Sequence, residues 1–431
     1  MMTDSATDRK TIWAWAMYDF ANSVFTTLVV TFVYSTYFVM GIVGDEIAGT
    51  VLWSRAVTLS AIIIAVLAPI MGAIADQGGY RKRYLVMMTA LCVLGSVLLY
   101  FPEPGQIRQA LFWFIVANIG FEISAVFYNA YLPDIAKEHE IGRVSGFGWG
   151  LGYVGGLAAM VLAMVALVNP EVPWLGFGKE AGQNIRATNL LVAAWFALFS
   201  LPALFLLKDP PRPKRKALAV IIRQSKEQLI GTFRKLRAYR QVARLLLARL
   251  IYNDGLTTIF AFGGIYAAGT FGFTFEEIMI FGIVINIGAG LGAFLMGYFD
   301  DRLGGKWVIT FSLIGLIVAT TLALLAATKL HFWIAAILIG LFSGPNQAAS
   351  RSLMGRFTPS HMKSEFFGFY AFSGKATAFL GPLLLGILVD IFQSQRAGIT
   401  VVIVLFVLGG WLLRGVDEAE GIAVAQEQSR G

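Results

Sequence analysis

Charge is scarce in this sequence. Only 14% of the 431 residues are Asp, Glu, Lys or Arg, whereas 57% are hydrophobic and the mean hydropathy is +0.70. Soluble domains carry about 25% charged residues. A water-soluble protein of this composition lacks the polar residues needed to cover its surface. The sequence therefore predicts an all-α integral membrane protein with several transmembrane helices.

Residues for metal, redox and enzymatic chemistry are scarce as well. Cys92 is the only cysteine and lies in an apolar run, which excludes a disulfide framework and a cysteine metal site. The three histidines are near loop ends without metal-ligand spacing. No Gly-x-x-x-x-Gly-Lys-Ser/Thr loop for ATP is present. We expect no enzymatic activity, no cofactor and no metal site.

Long apolar runs are the main feature of the sequence. A membrane-spanning helix needs about 20 mostly apolar residues. Twelve runs meet this requirement, and they are 12–40, 53–75, 83–101, 110–133, 144–168, 187–207, 241–268, 277–299, 307–328, 331–356, 364–391 and 397–414.

The cations between these runs predict the orientation. If both termini are cytoplasmic, the outer side holds only six of the 34 Lys and Arg residues, namely Arg55, Arg108, Lys179, Arg186, Lys329 and Arg396. Because Lys and Arg concentrate on the cytoplasmic side of membrane proteins, this bias predicts that both termini are inside.

The segment between the sixth and seventh predicted spans is strongly basic. Twelve Lys and Arg against two acids between Lys208 and Arg244 give a net charge of +10. Beside so many spans, this charge indicates a cytoplasmic loop facing anionic lipid and not a nucleic-acid site. The segment is either an amphipathic helix on the membrane surface or a solvated linker. As a helix, the segment would have an apolar face and a basic face on opposite sides. The apolar face would consist of Ile222, Leu229, Phe233 and Leu236, and the basic face of Arg223, Lys226, Arg234 and Lys235.

One short loop pattern occurs twice, and the two copies are separated by close to half the chain. They read Gly72-Ala-Ile-Ala-Asp76-Gln-Gly-Gly79-Tyr-Arg81 and Gly297-Tyr-Phe-Asp-Asp301-Arg302-Leu-Gly304-Gly-Lys306. Each has an acid four residues after its first glycine, a second glycine three later and a cation two beyond. Glycines permit a tight reversal and a close backbone approach. The repeat at half the chain indicates an internal duplication.

This duplicated loop resembles that of the major facilitator superfamily. The resemblance implies two pseudo-symmetric six-helix halves, 1–208 and 241–431, joined by a cytoplasmic basic linker, 209–240, with a short cytoplasmic tail at the C-terminus. It also implies a monomer in a lipid bilayer that works by alternating access around a midplane site. In that family the loop acid holds the cytoplasmic side closed.

Two acids lie inside predicted spans at corresponding places. Asp19, with Asn22 on the same helical face, is in the first span, and Asn253-Asp254 is in the seventh, at nearly the same separation as the two loop motifs. Ions at membrane depth are costly and usually functional. The stretches Tyr18-Asp19-Phe-Ala-Asn22-Ser23, Tyr252-Asn253-Asp254-Gly255 and Gly344-Pro345-Asn346-Gln347-Ala-Ala-Ser350-Arg351-Ser352 resemble the fungal vacuolar amino-acid effluxers linked to autophagy, and this chain resembles a bacterial branch of them. The resemblance implies export of neutral amino acids across the bacterial inner membrane.

The fourth predicted span adds a third acid. Asn118, Glu122 and Asn129 share one face, at steps of four and seven residues. Glu122 is either a proton site or a glutamate hydrogen-bonded to a neighbouring helix.

The tenth and eleventh predicted spans add cations. Arg351, on one face with Gln347, either holds a substrate carboxylate by a two-pronged contact or pairs with an acid near the cytoplasmic end. Asn346 lies beside them. Lys375 lies about 16 Å past the start of its span. This is too deep for it to reach the surface, so it pairs with an acid or faces water.

These residues lead to one main hypothesis. The chain is a secondary transporter of a small organic solute such as a neutral amino acid, coupled to protons. The alternative is a sensor or lipid-handling scaffold of the same fold, because a fold alone does not define a function. Ionisable residues at membrane depth favour transport.

Overall fold

The computed structural model describes residues 8–209, 218–234 and 239–430, and every regular element in these ranges is a helix. The all-α prediction is therefore confirmed. Leu236 and Lys235, assigned above to an amphipathic helix, lie outside the described residues.

Eleven of the described helices are long and apolar enough to cross a membrane. In chain order they are the first span Arg9–Val43, second Ala48–Gly78, fourth Ile107–Ile135, fifth Ile141–Val168, sixth Glu180–Leu206, seventh Arg240–Phe271, eighth Ile280–Leu303, ninth Gly305–Leu325, tenth Lys329–Arg356, eleventh Lys363–Phe392 and twelfth Gln395–Arg414.

The remaining predicted span corresponds to the helix Arg81–Leu98, which we call the third span. It has 18 residues and begins with Arg81, Lys82 and Arg83, so its first turn is cationic. At a rise of 1.5 Å per residue it is about 27 Å long, close to the thickness of the hydrocarbon core.

Several spans contain irregular turns. The first is α-helical over Arg9–Val24 and then π-helical over Phe25–Phe32 and again over Phe38–Val43. The fifth changes from α-helix to π-helix at Met164. Wide turns of this kind are frequent at functional sites of helices.

The eleventh span is broken in the middle. It consists of Lys363–Lys375 and Leu380–Phe392, separated by a turn over residues 376–379. Pro382 explains the break, because a proline ring clashes with the carbonyl four residues before it and is tolerated only in the first turn of a helix. The second half therefore begins again at Leu380.

The described residues form two compact units. The first contains 8–67, 78–128 and 151–209. Its core includes an aromatic stack in which the Tyr128 ring lies 4.6 Å from Trp15 and 4.7 Å from Tyr18 between centroids.

The second unit contains 68–77, 129–150, 218–234 and 239–430. Its eighth and tenth spans pack backbone against backbone. A Cβ added to Gly344 would lie 1.9 Å from the carbonyl oxygen of Ala289. Only glycine permits so close an approach.

Two helices outside the spans belong to this second unit. Leu218–Arg234, the linker helix, buries Ile221 and Ser225, and Gln228 hydrogen-bonds with both Gln77 and Glu365. Residues 218–234 of the middle segment are thus helical, and the predicted place of this helix on the membrane surface stays a prediction. The predicted short tail is the helix Glu418–Arg430, which buries Ala425.

Candidate functional site

Asp76, the acid of the first loop motif, caps the start of the eleventh span. Its Oδ1 accepts a hydrogen bond of 3.0 Å from the N–H of Ser364, and its Oδ2 accepts one of 2.8 Å from Glu365. These two N–H groups lie in the first turn of Lys363–Lys375, where they have no partner within the helix. A carboxylate there also interacts favourably with the helix dipole.

Asp301, the acid of the second copy, caps the fifth span in the same way. It accepts from the N–H groups of Gly142 at 2.7 Å and Arg143 at 3.2 Å. The Arg143 side chain adds a bond of 2.7 Å from Nε. Both acids therefore accept hydrogen bonds from the N–H groups of the second and third residues of a span. The duplication inferred from the sequence extends to these contacts.

The other motif residues support these caps in different ways. A Cβ at Gly72 would lie 2.2 Å from the Ser364 carbonyl oxygen, and one at Gly297 would lie 2.9 Å from that of Gly142. Gly79 and Gly304 have φ of 63° and 91°, in the left-handed region that favours glycine. The remaining motif cations differ in exposure: Arg81 is buried, Lys306 donates to the carbonyl of Val416, and Arg302 is exposed.

Two further acids cap helices in ways the sequence did not reveal. Asp209 accepts from the N–H of Lys82 at 2.7 Å, at the start of the third span. Glu418 accepts from Gly305 at 3.0 Å and Lys306 at 2.9 Å, at the start of the ninth. The third, fifth, ninth and eleventh spans thus all begin on a carboxylate.

A buried ion cluster surrounds the second motif. Arg356 lies 2.5 Å from Asp300 and 3.4 Å from Glu418, and its Nη2 lies 3.6 Å from Asp301. The side chains of Arg356 and Asp300 are both buried. The hydroxyl of Ser352 also donates a hydrogen bond to the Asp300 carboxylate.

In the first unit, the predicted polar residues of the first span are buried. Asp19 and Asn22 are 9% and 7% exposed. The Ser23 hydroxyl donates to the Asp19 carbonyl at 2.8 Å, and a Cβ at Gly152 would lie 3.4 Å from Asp19 Cβ. Glu122 is partly buried.

In the second unit, Arg351 binds other helices within the protein. Its Nε donates to the Ser145 hydroxyl at 2.9 Å, its Nη2 to the Ser145 carbonyl at 2.7 Å, and its Nη1 to Asn129 Oδ1 at 3.3 Å. Two predicted site residues, Arg351 and Asn129, are thus brought together. Their contacts are those of a structural anchor.

Two other predicted residues of the tenth span have different surroundings. Asn346 is fully buried, and neither atom of its side-chain amide has a hydrogen-bond partner within the described ranges. One turn on, Ser350 bonds the hydroxyl of buried Tyr252 at 2.8 Å. Gln347 is partly buried, and its amide nitrogen lies 3.5 Å from the Ser343 carbonyl oxygen.

Asp254 caps the second half of the broken eleventh span. Its Oδ2 accepts a hydrogen bond of 2.9 Å from the N–H of Gly381, the second residue of Leu380–Phe392. The residue is 2% exposed, and Oδ1 has no hydrogen-bond partner among the residues that the structure describes. A Cβ at Gly381 would lie 2.0 Å from Thr258 Oγ1 and 3.1 Å from Asp254 Oδ1.

The first half of that span carries Lys375 and contacts the seventh span. Asn253 donates to the Gly374 carbonyl at 3.3 Å. Arg249, one turn before Asn253, donates to the Tyr370 carbonyl at 2.7 Å and to the Ser373 hydroxyl at 2.8 Å. Arg249 was not predicted as a site residue, although its spacing of four from Asn253 on one helical face was a usable signal.

A cavity of about 460 Å³ lies between the seventh, eleventh and twelfth spans. Its lining is mostly apolar, including Phe262, Tyr266 and Leu385, and none of the predicted site residues lines it. Within the described ranges, no three His, Cys, Asp or Glu side chains are grouped to hold a metal ion.

Solved structures with the same fold are transporters. The chain matches the proton:xylose symporter XylE with a TM-score of 0.76 and 14% identity, covering 96% of both chains. It matches the transporter FucP in the outward conformation with a TM-score of 0.75 and 15% identity, covering 95% of this chain and 100% of that one. These likenesses show the major facilitator fold.

Relatives and a family model narrow this assignment. The uncharacterized MFS-type transporter YxiO of Bacillus subtilis is 28% identical over 419 residues, 96% of this chain and 97% of that protein. Autophagy-related protein 22 of Yarrowia lipolytica is 22% identical over 466 residues, 86% of this chain and 77% of that one. The model of the family described as vacuole effluxer Atg22 like matches residues 7–426. The chain is a membrane transporter of the major facilitator type and belongs to the Atg22-like family.

Proposed function

We propose that the chain moves a small zwitterionic solute, with neutral amino acids as first candidates, by alternating access coupled to protons, and that it has no enzymatic activity. The description of the matching family, vacuole effluxer Atg22 like, supports efflux as the direction. The observation that carries the proposal is Asp254 at the break of the eleventh span.

Asp254 is suited to couple a proton to a movement. One carboxylate oxygen holds the first turn of Leu380–Phe392, while the other has no described partner and is buried. Leaving a buried carboxylate oxygen unpartnered is costly, and a proton on Oδ1 removes its charge. Protonation would weaken the cap, because a neutral acid interacts less with a helix N-terminus. Proton binding and the position of the outer half-helix are then linked.

The charges near the break fit a zwitterion. Asp254, Arg249 and Lys375 lie on the two spans that meet there. An ammonium group suits the acid and a carboxylate suits a cation, so a solute with both charges compensates both kinds of side chain.

Transport assays in proteoliposomes test the proposal. We expect exchange of labelled neutral amino acids and uptake driven by a pH gradient. Asp254→Asn should lose driven uptake while retaining folded yield and exchange, and Asp19→Asn is the second candidate. Asp390→Asn, at an exposed acid of the same eleventh span, is the matched control and should retain both activities.

Three results would overturn parts of this proposal. No exchange of any neutral amino acid by the wild type would favour the sensor or scaffold function. Unchanged driven uptake in Asp254→Asn would remove the proton role. Loss of folded protein in Asp254→Asn would assign the acid a structural role.

We further propose a bacterial inner membrane with both termini cytoplasmic, supported by the cation bias and by the Bacillus relative. In a Cys92-free background, cysteine at Lys179 should react from outside and cysteine at exposed Arg223 from inside. Labelling of position 179 only from inside would reverse the orientation.

A further inference from the structure

Arg249 is a cation of the seventh span that contacts the eleventh span through both a ring and hydrogen bonds. It lies nine residues into the seventh span, about 13 Å from its start. Its Nη1 bonds both the Tyr370 carbonyl and the Ser373 hydroxyl. Its Cζ lies 3.6 Å from the centroid of the Tyr370 ring, so the guanidinium stacks on that ring.

The guanidinium also packs closely against Gly374. A Cβ at Gly374 would lie 2.9 Å from Nη1 of Arg249 and 3.2 Å from Nη2. A larger residue at position 374 would therefore require the guanidinium to shift from its observed place.

Within the described residues, both hydrogen bonds of the Arg249 guanidinium are made by Nη1. Nε–H and Nη2–H lie side by side on the opposite edge, and neither bonds any described residue. No carboxylate of the described residues lies within 4 Å of Arg249, and the side chain is only partly buried. Two parallel N–H donors at this spacing match the two oxygens of a carboxylate.

Arg351 provides a contrast within the same unit. Its corresponding edge is filled, because Nε donates to the Ser145 hydroxyl and Nη2 to the Ser145 carbonyl. The protein therefore binds Arg351 through this edge, whereas the hydrogen bonds of Arg249 to described residues leave the same edge unused. A cation left uncompensated at membrane depth is costly, and an incoming anion removes that cost.

We propose that Arg249 binds the carboxylate of the transported solute through Nε and Nη2, with Tyr370, Ser373 and Gly374 holding the guanidinium in place. The substrates are then carboxylates, such as free amino acids, and neither their amides nor simple amines. This assignment rests on the transport function proposed above and adds the group that recognises the acid end of the solute.

The test compares acids with amides and amines on purified protein. Thermal-shift and exchange assays would use neutral L-amino acids, the matching carboxamides, and the amines formally derived from them by loss of CO₂. We expect the wild type to bind and exchange only the acids. Arg249→Gln should weaken amino-acid binding about 10- to 100-fold, the range for a lost charged hydrogen-bonded contact. Arg249→Lys, which keeps the charge but not the paired donors, should recover part of the affinity.

Arg244→Gln is the matched control. Arg244 lies five residues earlier on the same helix, and its Nη1 also donates to a carbonyl, that of Gly415, at 2.7 Å. This variant should bind amino acids as the wild type does. If Arg249→Gln does not fold, Ser373→Ala removes one anchor of the guanidinium and should weaken binding in the same direction.

The outcomes distinguish a failure of the carboxylate site from a failure of the proposed transport function. Equal exchange of acids, amides and amines by the wild type, or unchanged affinity in folded Arg249→Gln, would overturn the carboxylate site and leave transport intact. Absence of exchange with every probe would instead overturn the transport function on which the site rests.

Discussion

Asp76 and Asp301, which occupy the same place in the two copies of the loop motif, each cap a span through the second and third residues of that span. Asp76 accepts hydrogen bonds from backbone N–H groups of the eleventh span, and Asp301 accepts them from backbone N–H groups of the fifth. The loop motif recognised from the sequence is thus a helix-capping device used twice.

We predict that Asp76→Asn shifts the protein towards the inward-facing state. The amide keeps the size of the side chain but loses the charge and one of two acceptors at a helix N-terminus, where a charge contributes about 0.3–1 kcal/mol, and up to ~2 when partly buried. Spin-label distances across the cytoplasmic mouth should lengthen. Asp45→Asn is the control, because Asp45 also bonds a helix N–H, that of Ala48 at 2.8 Å, at the opposite end of the second span. An unchanged distance distribution in Asp76→Asn would disprove the gating role.

We predict that Arg356→Met is strongly destabilising. It leaves Asp300 buried without its arginine partner, and breaking a buried pair in this way costs about 3–5 kcal/mol. The double variant Arg356→Met/Asp300→Asn should recover much of the loss, because the most buried acid of the cluster is then neutral. Heat inactivation followed by size-exclusion chromatography would measure both effects, with Arg302→Met at the exposed neighbour as control. A double variant no more stable than the single one would contradict this account.

We predict that the break of the eleventh span tolerates no side chain at Gly381. An added methyl group would meet Thr258 Oγ1 at 2.0 Å and Asp254 Oδ1 at 3.1 Å. Overpacking of this kind costs about 1–3 kcal/mol, so Gly381→Ala should lower thermal stability and driven uptake. Gly386→Ala, in the same half-helix with nothing within 4 Å of its added Cβ, should behave as the wild type. Equal effects of the two substitutions would argue against a specific contact at Asp254.

We predict a pH-dependent contribution from Glu277 and Lys329, which bond at 2.8 Å. The hydrogen bond from Lys329 lowers the pKa of Glu277 below its ordinary value, and the N–H of Thr274 adds to the effect. A lowered folded-state pKa gives stability that is present above the unfolded-state pKa and is lost as the pH falls through the folded-state value. Lys329→Gln should therefore reduce thermal stability at pH 7 and make progressively less difference below pH ~4. Glu277→Gln should abolish this pH dependence, and a constant difference across the range would exclude the pair as its source.

The fold could be predicted from the sequence because it depends on long apolar runs and on short motifs that are continuous in the chain. Apolar runs predict spans, and a motif repeated at half the chain predicts a duplicated fold, so the places of Asp76 and Asp301 could be anticipated. Asp209 and Glu418 could not, because each reaches the start of a helix that is several spans away in the chain, and only the packed fold brings them together. Arg249 was overlooked because a cation near the start of a basic span is typical of a helix end, whereas its stacking on Tyr370 depends on another span. The break after Lys375 was predictable from Gly381-Pro382.

Two carboxylates cap the eleventh span at separate points along its length. Asp76 accepts a hydrogen bond from the first turn of Lys363–Lys375, and Asp254 accepts one from the first turn of Leu380–Phe392. Each half is 13 residues long, about 20 Å, and ends where the continuous hydrogen-bond ladder ends. A change at Asp254 therefore acts directly on the second half, whereas the cap on the first half depends on a different acid, Asp76. One span thus contains two helix N-termini, and each can be altered by substitution without removing the cap of the other.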